Sequence, residues 1–169
     1  LENRENKRVL LSENYIQAKV DLAEGNKNEA LTTLKNVIFA NDPTYSTLSF
    51  FLILNQNLIS DYKEISVLYD HLLENNKFEK ELRNLLIYKK ALFDSNFVIE
   101  SKLLETIKPL LNTNTLWKPH ALLLLGDYFV SKGENIKAIE FYQQILSMKN
   151  LHNDLYAQAK SQLLIIAHE

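Results

Sequence analysis

The chain has 169 residues, no cysteine and a formal net charge of −2 at pH 7. The lack of cysteine excludes disulfides and thiolate metal sites, and the small net charge gives no basic face of the kind that binds nucleic acid. Glycine and proline number only three each, while 46% of the residues are hydrophobic. This composition and length predict one globular, largely helical domain.

The first 43 residues predict a helix pair. The first helix carries an apolar stripe with helical spacing at Leu11, Tyr15, Ala18 and Leu22. Gly25 is placed to end it, since glycine readily adopts the left-handed conformation that closes helices. The second helix is predicted over residues 26–40, and Pro43 stops it because proline cannot continue a helix.

Two further helix pairs are predicted in the middle of the chain, within residues 44–76 and 78–112. Their helices are expected to span residues 44–57, 59–74, 78–93 and 97–111. The third of these carries leucines along one side, which indicates a buried face. Pro109 falls near the end of the last and is expected to kink or terminate it.

A fourth pair, within residues 116–150, has the clearest pattern. Gly133 separates a helix carrying Leu125 and Gly126 from one whose inward stripe is Ala138, Tyr142 and Ile145. The small residues Gly126 and Ala138 are expected to let the two helix axes approach closely. A ninth helix, residues 154–167, has one apolar face and is predicted to cap the open end.

The first and last pairs repeat one pattern. Gly25 lies five residues before Ala30, and Gly133 lies five residues before Ala138. The two alanines are 108 residues apart, which is three periods of 36. This resembles the tetratricopeptide repeat, a helix–turn–helix unit of about 34 residues. The sequence thus predicts an all-α solenoid over residues 1–169, with repeats at 11–43, 44–76, 78–112 and 116–150.

A closer resemblance is to the ancillary subunit of the bacterial Sec translocon and its alphaproteobacterial relatives. Residues 117–121, WKPHA, look like the Trp-Arg-Pro-x-Ala stretch that opens the last repeat of that family. The charged opening ENRENKR and the order of strong and degenerate repeats are also similar. The resemblance implies a membrane anchor before Leu1 and a periplasmic domain at the inner membrane. The translocon or envelope chaperones would be its partners, and a cytoplasmic location is the alternative.

No motif for catalysis is found. The four histidines, His71, His120, His152 and His168, lack metal-ligand spacing, and there is no glycine-rich phosphate loop or nucleophile elbow. The sequence therefore predicts no enzyme, no cofactor and no metal. The histidines are expected at the surface or at helix ends.

In such a solenoid the first helix of each pair lines a concave groove, which is expected to bind a protein or extended polypeptide with micromolar affinity. The predicted partner-binding residues are Tyr15, Lys19, Leu22, His120, Leu123, Asp127, Val130 and Ser131. Two alternatives stay open: the last helix fills the groove, or the domain is a structural homo-oligomer. Trp117 is expected either to pack under the preceding loop or to be an exposed anchor for a partner.

Overall fold

A computed structural model describes residues 2–167, and within this range the chain forms nine α-helices and no β-strand. The helices are α1 Glu2–Ala23, α2 Lys27–Phe39, α3 Pro43–Asn55, α4 Tyr62–Asn75, α5 Lys80–Asp94, α6 Glu100–Leu111, α7 Lys118–Ser131, α8 Asn135–Leu146 and α9 Asn153–Ile166. The predicted all-α class is confirmed. The chain divides into two compact units, unit 1 ending at Phe78 and unit 2 beginning at Glu79.

Unit 1 contains α1 to α4. Each of these helices packs on the next, and α1 also contacts α3 as α2 contacts α4. Ala18, Ala30 and Leu34 are completely buried, and the rings of Phe50 and Tyr69 lie 4.6 Å apart. Of the apolar stripe predicted on the first helix, Leu11 and Ala18 are buried and Tyr15 and Leu22 are half-buried.

Unit 2 contains α5 to α9. Here α6 packs on α5 and α7, and α8 packs on α7 and α9. The core is formed by side chains from all five helices, among them Ala91, Leu103, Ile107, Leu125, Phe129, Ala138, Tyr142, Ile145 and Ala159. Ala138 is completely buried, which confirms its predicted place in the core.

Gly25 and Gly133 close α1 and α7 with the same turn. Both have positive φ, +84° and +74°. In each turn the residue after the glycine donates its backbone N–H to a carbonyl five residues back, as Asn26 does to Asp21 at 2.8 Å and Glu134 to Phe129 at 2.9 Å. This is the Schellman motif, in which glycine avoids the steric penalty of the left-handed conformation. Asn57, with φ 50°, makes the same turn after α3.

Three helix starts differ from the sequence prediction. Helices α4, α5 and α6 begin at Tyr62, Lys80 and Glu100, two to three residues later than expected. Side-chain caps explain two of them, since Asp61 accepts from the Lys63 N–H and Glu79 from the N–H groups that follow it. Pro109 lies inside the last turn of α6, and the helix ends two residues later at Leu111, which is the predicted end.

Gly126 makes room for a side chain of the neighbouring helix α8. A β-carbon built on Gly126 would lie 2.4 Å from Cε1 of Tyr142, far inside van der Waals contact. The Tyr142 ring therefore occupies the space that any other residue at position 126 would need. In unit 1 the residues at the equivalent positions of the repeat are Ala18 and Leu34, and both are completely buried.

Candidate functional site

Two adjoining cavities of unit 2, of about 390 and 140 Å³, form a groove between α7 and α9. They share Leu123 and Gln158. The lining residues are Tyr88 from α5, His120, Leu123 and Asp127 from α7, His152 before α9, and Asp154, Leu155, Gln158, Ser161 and Gln162 from α9. This surface is called the α7–α9 groove below.

Stacked aromatic rings support one end of the groove. The Trp117 and Tyr88 rings lie 5.7 Å apart at an angle of 21°, and His120 lies 4.9 Å from Trp117. Trp117 is half-buried against the core of unit 2. Of the two interpretations of this tryptophan, the structure supports packing. Because Tyr88 and His120 face the groove, Trp117 stands directly behind its lining.

The loop that carries Trp117 is tied to α5 through one hydroxyl. Thr115 Oγ1 donates to the Glu81 carboxylate at 2.8 Å and accepts from the Asn84 amide at 3.0 Å. It also accepts a longer bond, 3.3 Å, from the Trp117 backbone N–H. Thr115 and Asn84 are both buried. The hydroxyl thus uses its donor and both acceptor positions, and it sets where Trp117 meets Tyr88.

Thr115→Val is expected to lower the free energy of unfolding by about 1–3 kcal/mol, because it keeps the shape but leaves the buried Asn84 amide without its acceptor. Equilibrium denaturation followed by Trp117 fluorescence measures this, and the emission of the folded protein should shift as the stack loosens. Thr113→Val, at an exposed position of the same loop where the hydroxyl donates to the Pro109 carbonyl at 2.9 Å, is the control and should change stability less than Thr115→Val does, because water can replace an exposed hydrogen bond. Equal stabilities for the two variants would show that the hydroxyl network contributes nothing.

Asp127 links the groove to the core. The buried Tyr142 hydroxyl donates to Asp127 Oδ1 at 2.6 Å. Burial, and then the bond to Asp127, raises the pKa of Tyr142 well above its ordinary value. Burial and the negative charge of Asp127 also raise the pKa of Tyr88. Asp127 itself is exposed, so its carboxylate faces both the groove and the tyrosine behind it.

His120 is half-buried in the groove wall. Its Nδ1 is enclosed and forms no hydrogen bond of normal geometry within residues 2–167. The Leu116 carbonyl nevertheless favours the protonated form of the ring. Burial lowers the pKa of His120, and the Leu116 carbonyl opposes that shift only in part. The neutral imidazole is therefore the form that the folded protein favours.

This shift makes stability depend on pH in a definite direction. A histidine whose pKa is lowered by folding binds its proton more readily in the unfolded chain. The free energy of unfolding is therefore unaffected by this group above about pH 6.5 and decreases as the pH drops below that value. His120→Gln is expected to flatten this fall between about pH 7 and about pH 5. Tyr88, His152 and Asp154 are the other titratable groups that line the same cavity.

Denaturation midpoints measured across this pH range test the prediction, with Thr113→Val as the variant that should keep the wild-type slope. An identical slope in His120→Gln would show that this ring does not contribute.

The structure brings together three of the five residues predicted on α7. His120, Leu123 and Asp127 line the groove. Val130 and Ser131 are not among the lining residues. Val130 is half-buried against the core, and the exposed Ser131 donates its hydroxyl to the Tyr128 carbonyl at 2.6 Å.

The three residues predicted on α1 belong to unit 1. The Lys19 amine lies 5.9 Å from the centre of the Tyr15 ring, and Leu22 is half-buried. A cavity of about 430 Å³ in this unit is lined by a different set: Arg4, Glu5, Arg8, Asp42, Pro43 and Thr44. Arg8 and Asp42 form an ion pair of 3.2 Å there, so the cavity has its charges balanced internally.

The wall supplied by α9 was missed by the sequence prediction, which gave this helix the role of a cap or of a filling for the groove. Helix α9 packs on α8 and α7, as a terminal cap would, and it also forms one wall of the groove between α7 and α9. The signal was present in the polar residues Gln158, Ser161 and Gln162, which stand three and four residues apart and thus share one helix face. Tyr88 carried no comparable local signal.

Across residues 2–167, no cluster of three or more His, Asp or Glu side chains could hold a metal ion. His168 lies outside the described residues. The helices of the described range also include none that is long and apolar enough to span a membrane.

No protein-family model, curated protein or solved structure matches this chain.

Proposed function

We propose that this chain is a non-enzymatic module that binds a short extended segment of another polypeptide, and that the α7–α9 groove is its binding surface. The observation that carries this proposal is the lining: half-buried Leu123 and buried Leu155 lie beside side-chain amides, a hydroxyl and carboxylates. Apolar groups provide burial, and convergent polar groups can satisfy the backbone of an extended chain.

The stacking of the helices supports a tetratricopeptide-like arrangement within each unit. In unit 1 consecutive helices contact each other, and in addition α1 contacts α3 and α2 contacts α4. In unit 2, α7 contacts both α5 and α9 in the same way. The turns at Gly25 and Gly133 occur at the same place relative to Ala30 and Ala138. A rigid stack of this kind loses little conformational entropy when it binds a partner.

Selection from a library of short random peptides on the purified protein tests the proposal. Selected peptides should bind with micromolar affinity and lose binding in Leu123→Arg and in Gln158→Trp, which introduces a large ring at an exposed position of the groove wall. Leu164→Arg, at a position that is 56% exposed and outside the groove lining, should bind normally. Circular dichroism must show that the variants keep their helices. Binding that survives both groove variants would refute the proposed surface.

A second candidate function, homo-oligomerisation, is favoured by the exposed face of α1. Val9, Ile16 and Val20 are 42–57% exposed, and their spacing of seven and four residues places them on one stripe. Sedimentation analysis at increasing concentration tests this. An oligomer that Ile16→Glu converts to monomer would support it, whereas a wild-type monomer at all concentrations would exclude it.

The envelope location remains a proposal from the family resemblance, which rests on residues 117–121, the charged opening of the chain and the order of the repeats. It expects the full-length protein in the membrane fraction of its own cells, with this domain accessible from the periplasm. Recovery in the cytoplasmic fraction would contradict it.

A further inference from the structure

Two carboxylates line the α7–α9 groove, and its lining contains neither lysine nor arginine. Asp127 borders the smaller cavity and Asp154 the larger, and both residues are exposed. The remaining polar lining is neutral amide and hydroxyl, apart from His120 and His152. Carboxylates beside a low-dielectric apolar wall give the groove a negative potential. The raised pKa of Tyr88 agrees with this, since Asp127 contributes to it.

The spacing along α7 suits an extended chain. Leu123 and Asp127 are four residues apart, which is about 6 Å of helix rise. Side chains on the same side of an extended segment are two residues, or about 6.6 Å, apart. A segment lying along α7 can therefore place one side chain against Leu123 and the next on that side against Asp127.

We propose that the α7–α9 groove selects an extended polypeptide segment in which arginine or lysine stands two residues from a large aliphatic side chain. The aliphatic group packs on Leu123 and Leu155, and the cation pairs with Asp127 or with Asp154. This inference rests on the proposed function and specifies the chemistry of the partner.

The test uses three matched short peptides that carry arginine, serine or glutamate two residues from a leucine. Trp117 is the only tryptophan of the chain, and it stacks on Tyr88 in the groove wall. Its fluorescence therefore reports occupancy without a label, and anisotropy of labelled peptides gives an independent affinity. We expect the arginine peptide to bind up to about fivefold more tightly than the serine peptide, and the glutamate peptide to bind most weakly.

Variants that each remove one negative charge show which carboxylate causes the preference for the arginine peptide. Asp127→Asn and Asp154→Asn should each reduce the ratio between arginine and serine peptides several-fold, and the asparagine oxygen at position 127 can still accept from Tyr142. Glu105→Gln, at an exposed carboxylate on α6 of the same unit, is the matched control and should leave the ratio unchanged. Raising the salt from about 0.1 M to about 1 M shortens the Debye length from about 10 Å to about 3 Å and should weaken the arginine peptide most.

The possible failures are distinguishable. If the arginine and serine peptides bind equally well and both depend on Leu123, the basic preference is overturned while the polypeptide-binding function stands. If neither these peptides nor the random library yields a ligand that depends on the groove, the proposed function itself fails, and this inference fails with it.

Discussion

Ala138→Glu is expected to remove most of the stability of unit 2. Ala138 lies in the core and has no exposed surface. A glutamate at this position would either stay buried as an unpaired charge or force α7 and α8 apart. An uncompensated buried charge costs about 3–5 kcal/mol, which is a large part of the total stability of an ordinary domain. Denaturant titration followed by Trp117 fluorescence should show a strongly lowered midpoint or no folded baseline.

Ala157→Glu is the matched control for this substitution. Ala157 is exposed on α9 of the same unit and does not line the groove. Glutamate has nearly the helix propensity of alanine, so the two variants differ chiefly in burial. A midpoint equal to that of Ala157→Glu would contradict the repeat register, because that register is what places Ala138 in the interior.

Gly126→Ala is expected to destabilise unit 2 even though alanine is the better helix former. Propensity alone favours the substitution by about 1 kcal/mol. The added carbon, however, would lie 2.4 Å from Tyr142 Cε1, and the tyrosine is held by its bond to Asp127. Overpacking of this kind typically costs about 1–3 kcal/mol, so the net effect should be a loss of stability.

A double-mutant cycle isolates the clash. Tyr142→Leu alone should be destabilising, because it leaves a cavity and removes the hydroxyl that reaches Asp127. Combined with Gly126→Ala it gives unit 2 the alanine and leucine that stand at the equivalent positions of unit 1, Ala18 and Leu34. The double variant should therefore be more stable than the sum of the two single effects predicts, by about 1 kcal/mol or more. Additive effects, or a Gly126→Ala variant that melts higher than wild type, would show that the ring moves aside without cost.

Local rules explain why much of the fold could be predicted. The buried positions Ala18, Ala30 and Ala138 follow from helical spacing, because any amphipathic helix turns its apolar stripe inward. The turns at Gly25 and Gly133 follow from the backbone preference of glycine. Helix starts were less predictable, since caps such as Asp61 and Glu79 compete with other polar residues nearby.

The candidate site could be predicted only in part. Periodicity identified His120, Leu123 and Asp127 as one face of α7, and this face does line the groove. The same rule also selected Val130, which does not line the groove. A helix face is broad, and the boundary between groove and core depends on how the neighbouring helix is placed.

The sequence by itself determined the helical class, the register of the first and last helix pairs and the residues at their centre. These properties depend on groups within a few residues of one another, whose spacing is visible in the chain. Only the tertiary structure decided that α9 forms a wall of the groove, that Tyr88 stacks on Trp117, and that Thr115 joins Glu81 to Asn84. Such contacts join residues about 30 or more positions apart, and the packing of whole side-chain surfaces sets them rather than any local preference.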